Sequence, residues 1–547
     1  MTSANGAQPR RMTTAQAVVA SLVANQVDTV FCLPGVQNDH LFDALHQARN
    51  SIRPIHTRHE QATAYMALGA AMATGKPQVY TVVPGPGFLN TTAALSTAYA
   101  CNAPVMALIG QIPAASIGRG YGLLHEIPDQ LAIMRGLTKH AARIRGPAEA
   151  PALVAEAFRQ MREGRPRPVA LECAIDVWNR AADVAVPAGP AMPEALPIDS
   201  DAIARAATML AKAERPLIVV GGGAQDASPE VTRLAELLQA PVMSHRMGRG
   251  ILDSRNPLSV NIHSGHSLWG TADVVLAVGT RLQAQIQGWG TDRNLKIIRI
   301  DADPEELDRI EAPAIGITGD AAPTLRALIA ALPAQPRASR TDELLAIRAK
   351  SEAALSVLQP QIDLLRAIRD VVPDDGIIVD ELTQLGYAGR MVMPTYRPRS
   401  FLSPGYQGTL GWGLSTAMGA KVARPDAAVV SLTGDGGFMF QVQELATAVQ
   451  HRIPVVVVLV NDGAYGNVRR TQINAYGGRV IASELGNPDF LRLAESFGAL
   501  GLRAETPDAL RTALEHGLSA DRPTVIEVPA TQMPDPWGFL RMPRNRG

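Results

Sequence analysis

Two widely separated sets of residues in this chain have side-chain types that could do chemistry. The first is Gly434-Asp435-Gly436-Gly437, followed 26 residues after the aspartate by Asn461-Asp462-Gly463. Glycines let a backbone approach an anion closely, and a helix N-terminus offers unpaired N–H groups and partial positive charge. Asp435 adds the hard oxygen that Mg²⁺ takes alongside phosphate oxygens. The second set is a single carboxylic acid, Glu60, in Arg58-His59-Glu60-Gln61-Ala62 at the start of an alanine-rich stretch. A metal-bound diphosphate accounts for the first set and has no use for the second.

One cofactor class needs both. Thiamin diphosphate carries a diphosphate at one end and, at the other, a pyrimidine that requires a carboxylic acid. The elements that must position the first set form a strand–turn–helix–strand unit. Residues 427–433 are apolar and β-branched, as in a buried parallel strand. A helix is expected over 438–451, and a strand over 454–460 delivers Asn461 at its C-terminal end. In a right-handed βαβ unit both strands end on the same edge of the sheet. Asp435 and Asn461 are therefore expected to converge on one Mg²⁺, with the Gly463 carbonyl as a third ligand and Gly434, Gly436 and Gly437 against the diphosphate. A Walker-type loop is excluded because Gly-Lys-Ser/Thr is lacking.

Strand-like and helix-like segments alternate along all 547 residues, which predicts an α/β fold with parallel sheets flanked by helices. The length suits about three domains. Proline-rich stretches at 186–197 and 333–340 read as linkers. The expected division is an N-terminal domain over 11–182, a central Rossmann-like domain over 198–335, a C-terminal domain over 360–530 and a tail or lid over 531–547. Duplication of the first and third domains is plausible from the element pattern, but their sequences have diverged too far to show it. Fifty-one basic and 51 acidic residues cancel, so no basic field favours nucleic acid or anionic membrane. No apolar run reaches the roughly 18 residues of a membrane span, and residues 1–11 lack an apolar signal core. Cys32, Cys101 and Cys173 lie far apart without metal-ligand spacing. A cytoplasmic protein is expected.

The two motifs together resemble the thiamin-diphosphate enzymes of the acetohydroxyacid synthase, benzoylformate decarboxylase and oxalyl-CoA decarboxylase group, and the resemblance covers nearly the whole chain. It implies a pyrimidine-binding domain first, a diphosphate-binding domain last, and a homodimer or homotetramer whose cofactor lies between one subunit's pyrimidine domain and its neighbour's diphosphate domain. Glu60 would bond the pyrimidine and promote proton removal from the thiazolium, and burial between subunits would raise its pKa. In Gly408-Thr409-Leu410-Gly411, Leu410 matches the bulky residue that props the cofactor into a V, and the Gly408 carbonyl would accept from its amino group. Thr383 and Gln384 match positions that contact the diphosphate. Tyr465, Gly466, Asn467 and Val468 match the segment along thiazolium and substrate, and Gln111 matches a glutamine near the active centre.

Gly-Pro-Gly at 85–87, Gly-Gln-Ile-Pro at 110–113 and Gly-Thr-Leu-Gly at 408–411 are closest to the acetohydroxyacid synthase branch. Three departures argue against its full activity. The Arg-Phe-Asp-Asp-Arg of that family, whose last arginine grips the acceptor carboxylate, is here Arg281-Leu282-Gln283-Ala284-Gln285. Its tryptophan for the larger acceptor is Thr471, and its Phe-Gln-Glu is Leu124-His125-Glu126. Loss of a bidentate clamp weakens carboxylate binding. The same departures put FAD, which that family holds in the central region, in doubt. His125 is a candidate acid/base over the thiazolium, weighed against a channel-lining histidine. The expected activity is decarboxylation of a 2-oxo acid with transfer of the carbanion to a proton or carbonyl acceptor. The alternative is a lyase or decarboxylase of a 2-hydroxy ketone, a 2-hydroxyacyl-CoA or oxalyl-CoA. A non-catalytic binding protein does not explain the intact Glu60, Asp435 and Asn461, and a nicotinamide dehydrogenase would need the missing Gly-x-Gly-x-x-Gly.

Overall fold

The computed structural model describes residues 8–547 except His245 and Gln335; the first seven residues of the polar N-terminal segment lie outside the described part. Three six-stranded sheets, each wholly parallel, carry the fold. The first contains β1 (Thr29–Cys32), β2 (Arg53–His56), β3 (Gln78–Val82), β4 (Val105–Gln111), β5 (His140–Ile144) and β6 (Val169–Ala174) in the order β2-β1-β3-β4-β6-β5. The second contains β7 (Leu217–Val220), β8 (Val242–Ser244), β9 (Ser259–Val260), β10 (Val274–Val278), β11 (Lys296–Asp301) and β12 (Ile315–Thr318) in the order β9-β8-β7-β10-β11-β12. The third contains β13 (Ile377–Asp380), β14 (Phe401–Leu402), β15 (Val429–Gly434), β16 (Val456–Asn461), β17 (Leu500–Arg503) and β18 (Thr524–Pro529) in the order β14-β13-β15-β16-β18-β17.

The strands read as continuous apolar runs because helices cover both faces: Val456 to Val460 are all buried, as are Val274 to Val278. The α/β reading with helix-flanked parallel sheets holds throughout. The outer two sheets share one strand order, as the duplication considered from the element pattern would have it. The central sheet reverses direction between β7 and β10, the doubly wound arrangement. Its C-terminal edge opens on a cavity of about 1710 Å³ lined by Gly221, Gly222, Gly223, Gly279, Arg246, Arg281 and Gln285. The end of β8, where a dinucleotide fold carries an acid for the ribose, carries Ser244.

The first and third sheets meet through two small-residue helices, α1 (Glu60–Thr74) and a helix over Gly413–Ala423. A Cβ on Gly69 would lie 2.0 Å from the Thr416 carbonyl oxygen, and one on Gly419 would lie 1.9 Å from that of Met66. The two backbones therefore touch, and only glycine permits it at either position. Alanines fill most of the rest of the seam, which explains the alanine richness behind Glu60.

No helix among the described residues is long and apolar enough to cross a membrane. Burial raises the Cys32 and Cys101 thiols to about 12. The tail is not frayed. Gln361 Nε2 donates to the Pro534 carbonyl at 2.8 Å, and Arg546 donates to the Trp269 carbonyl at 2.6 Å and pairs with Asp292 at 3.1 Å.

Candidate active site

Asp435 opens a short helix (Asp435–Met439) after β15, and Asn461 ends β16. The strands are hydrogen-bonded neighbours, with Gly434 in register with Val460. Both side chains reach one point: Asn487 Nδ2 donates to Asp435 Oδ2 at 2.6 Å and to Asn461 Oδ1 at 2.9 Å. Asn461 is oriented by its own Nδ2, which donates to Glu527 Oε1 at 2.7 Å, and Glu527 is paired with Arg503 at 2.8 Å. Burial raises the Asp435 carboxyl above the usual range against the donation from Asn487. Burial also raises Asp462, and the nearby charge of Asp435 adds to it. One partly desolvated carboxylate oxygen, from Asp435, and one amide oxygen, from Asn461, aimed at a single donor are a set that a divalent cation would suit. Gly463 has φ +63; its amide faces Asn461 Oδ1 at 3.3 Å and its carbonyl accepts from Leu485 N at 2.8 Å. Among the described residues no group of three or more His, Cys, Asp or Glu is placed to hold a metal ion. Mg²⁺ on a diphosphate needs only one or two protein carboxylates.

The single helix expected over 438–451 is instead two. After Met439 the chain makes turns in which Phe440 N bonds Gly437 O, Gln441 N bonds Phe438 O and Glu444 N bonds Gln441 O, before a helix resumes over Glu444–Gln450. The break lets two side chains reach the N-terminal half. Gln441 Nε2 donates to Gln61 Oε1 at 2.9 Å, and Glu444 accepts from the amides of Arg58 and His59 at 3.1 and 3.0 Å. Glu60 therefore starts α1 from a segment whose backbone donors are satisfied by the diphosphate half. His59 caps the helix by accepting from Gln61 N at 3.2 Å.

Glu60 Oε2 accepts from Asn90 Nδ2 at 3.0 Å, on the helix Pro86–Cys101. A Cβ on Gly87 would lie 3.8 Å from Glu60 Oε1, and one on Gly85 would lie 2.5 Å from the His125 carbonyl. The Pro84–Gly87 turn thus joins the surroundings of Glu60 and His125. His125 has φ +69, uncommon for a non-glycine residue, and its Nδ1 is 3.2 Å from Gln37 Oε1. The loop before it is closed by Glu126, which accepts from Gly120 N at 3.0 Å and Leu123 N at 2.9 Å, and these amides lower its carboxyl below the ordinary range.

Gln111, expected near the active centre, is 3% exposed, and its Nε2 donates to Glu172 at 3.2 Å. Glu172 also accepts from Gln130, whose Oε1 takes the Gly85 amide at 3.1 Å, and from Arg143 at 2.6 Å. Gln111 thus belongs to a buried network that holds the 84–87 turn.

Thr383 caps the helix Gln384–Val392, accepting from Gly386 N at 2.8 Å, and its methyl lies 3.4 Å from where a Cβ on Gly434 would be. It abuts the glycine-rich turn. Gln384 does not face that turn with a free group. Its Nε2 donates to Asp462 at 2.7 Å and Thr531 O at 3.2 Å, and its Oε1 accepts from Arg470 at 2.9 Å and Met533 N at 2.7 Å. Both donors and both acceptor sites of the amide are used, and it joins Asp462 to the tail. Gly408 and Gly411 have φ +57 and +75, and Leu410 between them is half-buried. The Tyr465 ring covers Gly436, where a Cβ would lie 2.6 Å from it, and a Cβ on Gly466 would meet Asp462 at 2.2 Å. Asn467 Oδ1 accepts from Trp537 Nε1 of the tail at 2.8 Å, and Val468 is exposed.

Sequence reasoning missed Asn487, Glu527, Asn90 and a buried glutamate, Glu381. None stands in a spaced pattern. Glu381 was legible only as a residue two positions before the expected contact Thr383.

Residues 12–133, 203–328 and 383–528 match, in order, the N-terminal TPP binding domain, the central domain and the C-terminal TPP binding domain of thiamine pyrophosphate enzymes. The chain is 35% identical to a probable 2-ketoarginine decarboxylase, AruI, of Pseudomonas aeruginosa over 95% of both chains. It is 34% identical to a probable acetolactate synthase large subunit of Methanocaldococcus jannaschii over 95% of this chain and 93% of that one. It is 31% identical to the acetolactate synthase isozyme 1 large subunit of Escherichia coli over 95% and 94%. With the three domains matched in sequence order and relatives aligned almost end to end, the chain belongs to the thiamine pyrophosphate enzyme family and is acetolactate-synthase-like.

Proposed function

We propose that this enzyme uses thiamin diphosphate and Mg²⁺ to decarboxylate a 2-oxo acid, and that a proton is the acceptor in preference to a second keto acid. The observation that carries the cofactor reading is the convergence of Asp435 Oδ2 and Asn461 Oδ1 on one donor, 2.6 and 2.9 Å away. Asp435, Asn461 and the Gly463 carbonyl would hold the ion, and Thr383 and the 434–437 turn would face the diphosphate. When bound, the cofactor supplies a nucleophilic thiazolium carbon and an electron sink for loss of CO₂. Glu60 holds the proton at its Oε1, since Oε2 already accepts from Asn90. Leu410 and the Gly408 carbonyl orient the pyrimidine. His125 delivers the proton that replaces CO₂ on the product carbon, held in place by Gln37.

The preference for a proton rests on Gln285. This side chain is 3% exposed at the cavity wall, and its Nε2 has no hydrogen-bond partner. A neutral amide cannot form the charge-assisted fork that an arginine makes with an acceptor carboxylate.

The active unit is read as a homodimer or a homotetramer built from it. Exposed large apolar side chains gather on both halves of the site: Leu89 and Leu124 on the Glu60 side, Val468 and Ile481 on the diphosphate side, with Leu124 at 66% and Ile481 at 75%. Such patches mark surfaces that another chain covers.

The test is incubation of the protein, Mg²⁺ and thiamin diphosphate with pyruvate, benzoylformate and 2-ketoarginine, the last from the printed name of one relative. CO₂ with an aldehyde product supports the proposal. Acetolactate from pyruvate would replace it with a synthase, and no product from any of the three would remove these donors.

A further inference from the structure

Glu381 lies between the two structures that would grip opposite ends of the cofactor, and its backbone carbonyl accepts from the Thr383 amide at 2.9 Å. It follows β13 and is 1% exposed. Its Oε1 accepts from the Gly411 amide at 2.5 Å. This amide belongs to the 408–412 loop that carries Leu410 and the Gly408 carbonyl. Its Oε2 accepts from Thr433 Oγ1, in the strand that ends in the Gly434–Gly437 turn. The space for this carboxylate is shaped by two glycines: a Cβ on Gly437 would lie 2.5 Å from Oε1, and one on Gly413 would lie 2.9 Å from Oε2. Gly411 has φ +75, and Phe440 closes its other side at 2.5 Å from a Cβ. The loop thus has a strained-looking but fully braced path, with Glu381 as the brace that faces the diphosphate turn.

A buried carboxylate is costly unless its lone pairs are satisfied. Here they are satisfied by donors from two separate segments, so neither segment can shift without leaving an acceptor or a donor unmatched. An apolar residue at this position would leave the Gly411 amide and the Thr433 hydroxyl without this acceptor, and the loop would be free to move relative to the turn.

We propose that Glu381 is a positioning residue: its carboxylate fixes the spacing between the 408–412 loop and the 433–437 turn, and hence sets the distance over which the protein holds the pyrimidine and the diphosphate together. This rests on the cofactor reading above for what occupies the site, but the bracing is a property of the chain itself. Burial pushes the Glu381 carboxyl up to about 7, against the donors from Thr433 and Gly411, which agrees with a side chain retained at an energetic cost.

The experiment compares wild type, Glu381→Ala, Glu381→Gln and Thr433→Val in the full chain. Backbone amide exchange over 409–413 is read by mass spectrometry without cofactor. Binding of thiamin diphosphate with Mg²⁺, and of inorganic pyrophosphate with Mg²⁺, is read by tryptophan fluorescence. Loss of hydrogen bonds to a charged acceptor should raise exchange in Glu381→Ala about tenfold, and should weaken thiamin diphosphate by about tenfold while leaving pyrophosphate nearly unchanged. Glu381→Gln, which keeps one acceptor, should fall between, and it serves if the alanine variant does not fold. Equal weakening of both ligands would make Glu381 a support of the turn alone and overturn the proposal. Unchanged exchange at 409–413 would overturn it as well. If wild type binds pyrophosphate but not thiamin diphosphate, the cofactor reading fails, and the exchange arm still decides whether Glu381 braces the loop.

Discussion

Asp435 and Asn461 stand on neighbouring strand ends with a broken helix between them, and both accept from Asn487 Nδ2, at 2.6 and 2.9 Å. An amide nitrogen thus occupies the point on which the two oxygens converge. Binding of Mg²⁺ at that point would require the Asn487 side chain to give way.

Asp435→Asn should act in opposite directions on two quantities. Burial disfavours the ionised Asp435, so removing its charge should leave the melting temperature of the cofactor-free protein unchanged or raised. Mg²⁺-dependent cofactor binding should weaken by about 100-fold, the loss of a charged ligand to a hard cation. Calorimetry without cofactor and a fluorescence titration with it check the two signs. A variant that loses stability and affinity together would show a structural role only.

Glu60→Gln should keep cofactor binding and lower kcat by about 10²–10⁴-fold, the range of a lost general acid–base group. The amide retains the contact with Asn90 but cannot exchange a proton. Steady-state rates on the donor found above, with cofactor affinity measured in parallel, separate the two effects.

His125→Ala should lower kcat by about 10–100-fold, the loss of a proton donor to the product carbon. Retention of wild-type kcat would assign the proton to another group and leave His125 as a channel wall beside Gln37.

Gly69→Ala should destabilise the fold by about 3 kcal/mol or more, because the new methyl would lie 2.0 Å from a backbone oxygen that cannot move alone. Urea unfolding, read against Gly136→Ala, where the added methyl meets nothing within 4 Å, gives the comparison.

Replacing Glu381 by glutamine should change how stability depends on pH. The folded carboxyl lies near 7, above its ordinary 4.5, so between those values the folded chain holds more protons than the unfolded one. Its contribution is fully present below about 4.5 and lost as pH rises through about 7, on the order of 3 kcal/mol in all. Asp380, beside it, raises the Glu381 carboxyl further and is itself paired with Arg390 at 2.7 Å. Glu381→Gln should remove the Glu381 part of the slope between pH 5 and 8 and leave the Asp380 part. Denaturant midpoints across that window measure it, and an unaltered slope would show that Glu381 titrates normally.

The strand ends bearing Asp435 and Asn461 were legible in the sequence because glycine and hydrogen-bonding residues at the end of an apolar β-branched run announce a turn on the edge of a parallel sheet. The helix between them was misread as continuous. Its apolar pattern carries on through Phe440 and Val442, and contacts of Gln441 with Gln61 and Ser415 and of Glu444 with the Arg58 and His59 amides accompany the break. Gln111 and Gln384 enter the candidate site through the family resemblance, and nothing in their local sequence shows that their amides bond Glu172 in one case and Asp462 with the tail in the other.

By itself the sequence determined the three alternating α/β units and the glycine-rich turn and offered a candidate acid and candidate metal oxygens, because these follow from local periodicity and from what a side chain can donate or accept. Tertiary structure alone decided which of those groups have a free lone pair. It brought Asn487 from a loop 26 residues beyond Asn461, Glu527 from the neighbouring strand and Glu381 from beneath the turn. The physical reason is that hydrogen-bond capacity is shared among all residues that reach a point in space, and no spacing along the chain records who reaches it.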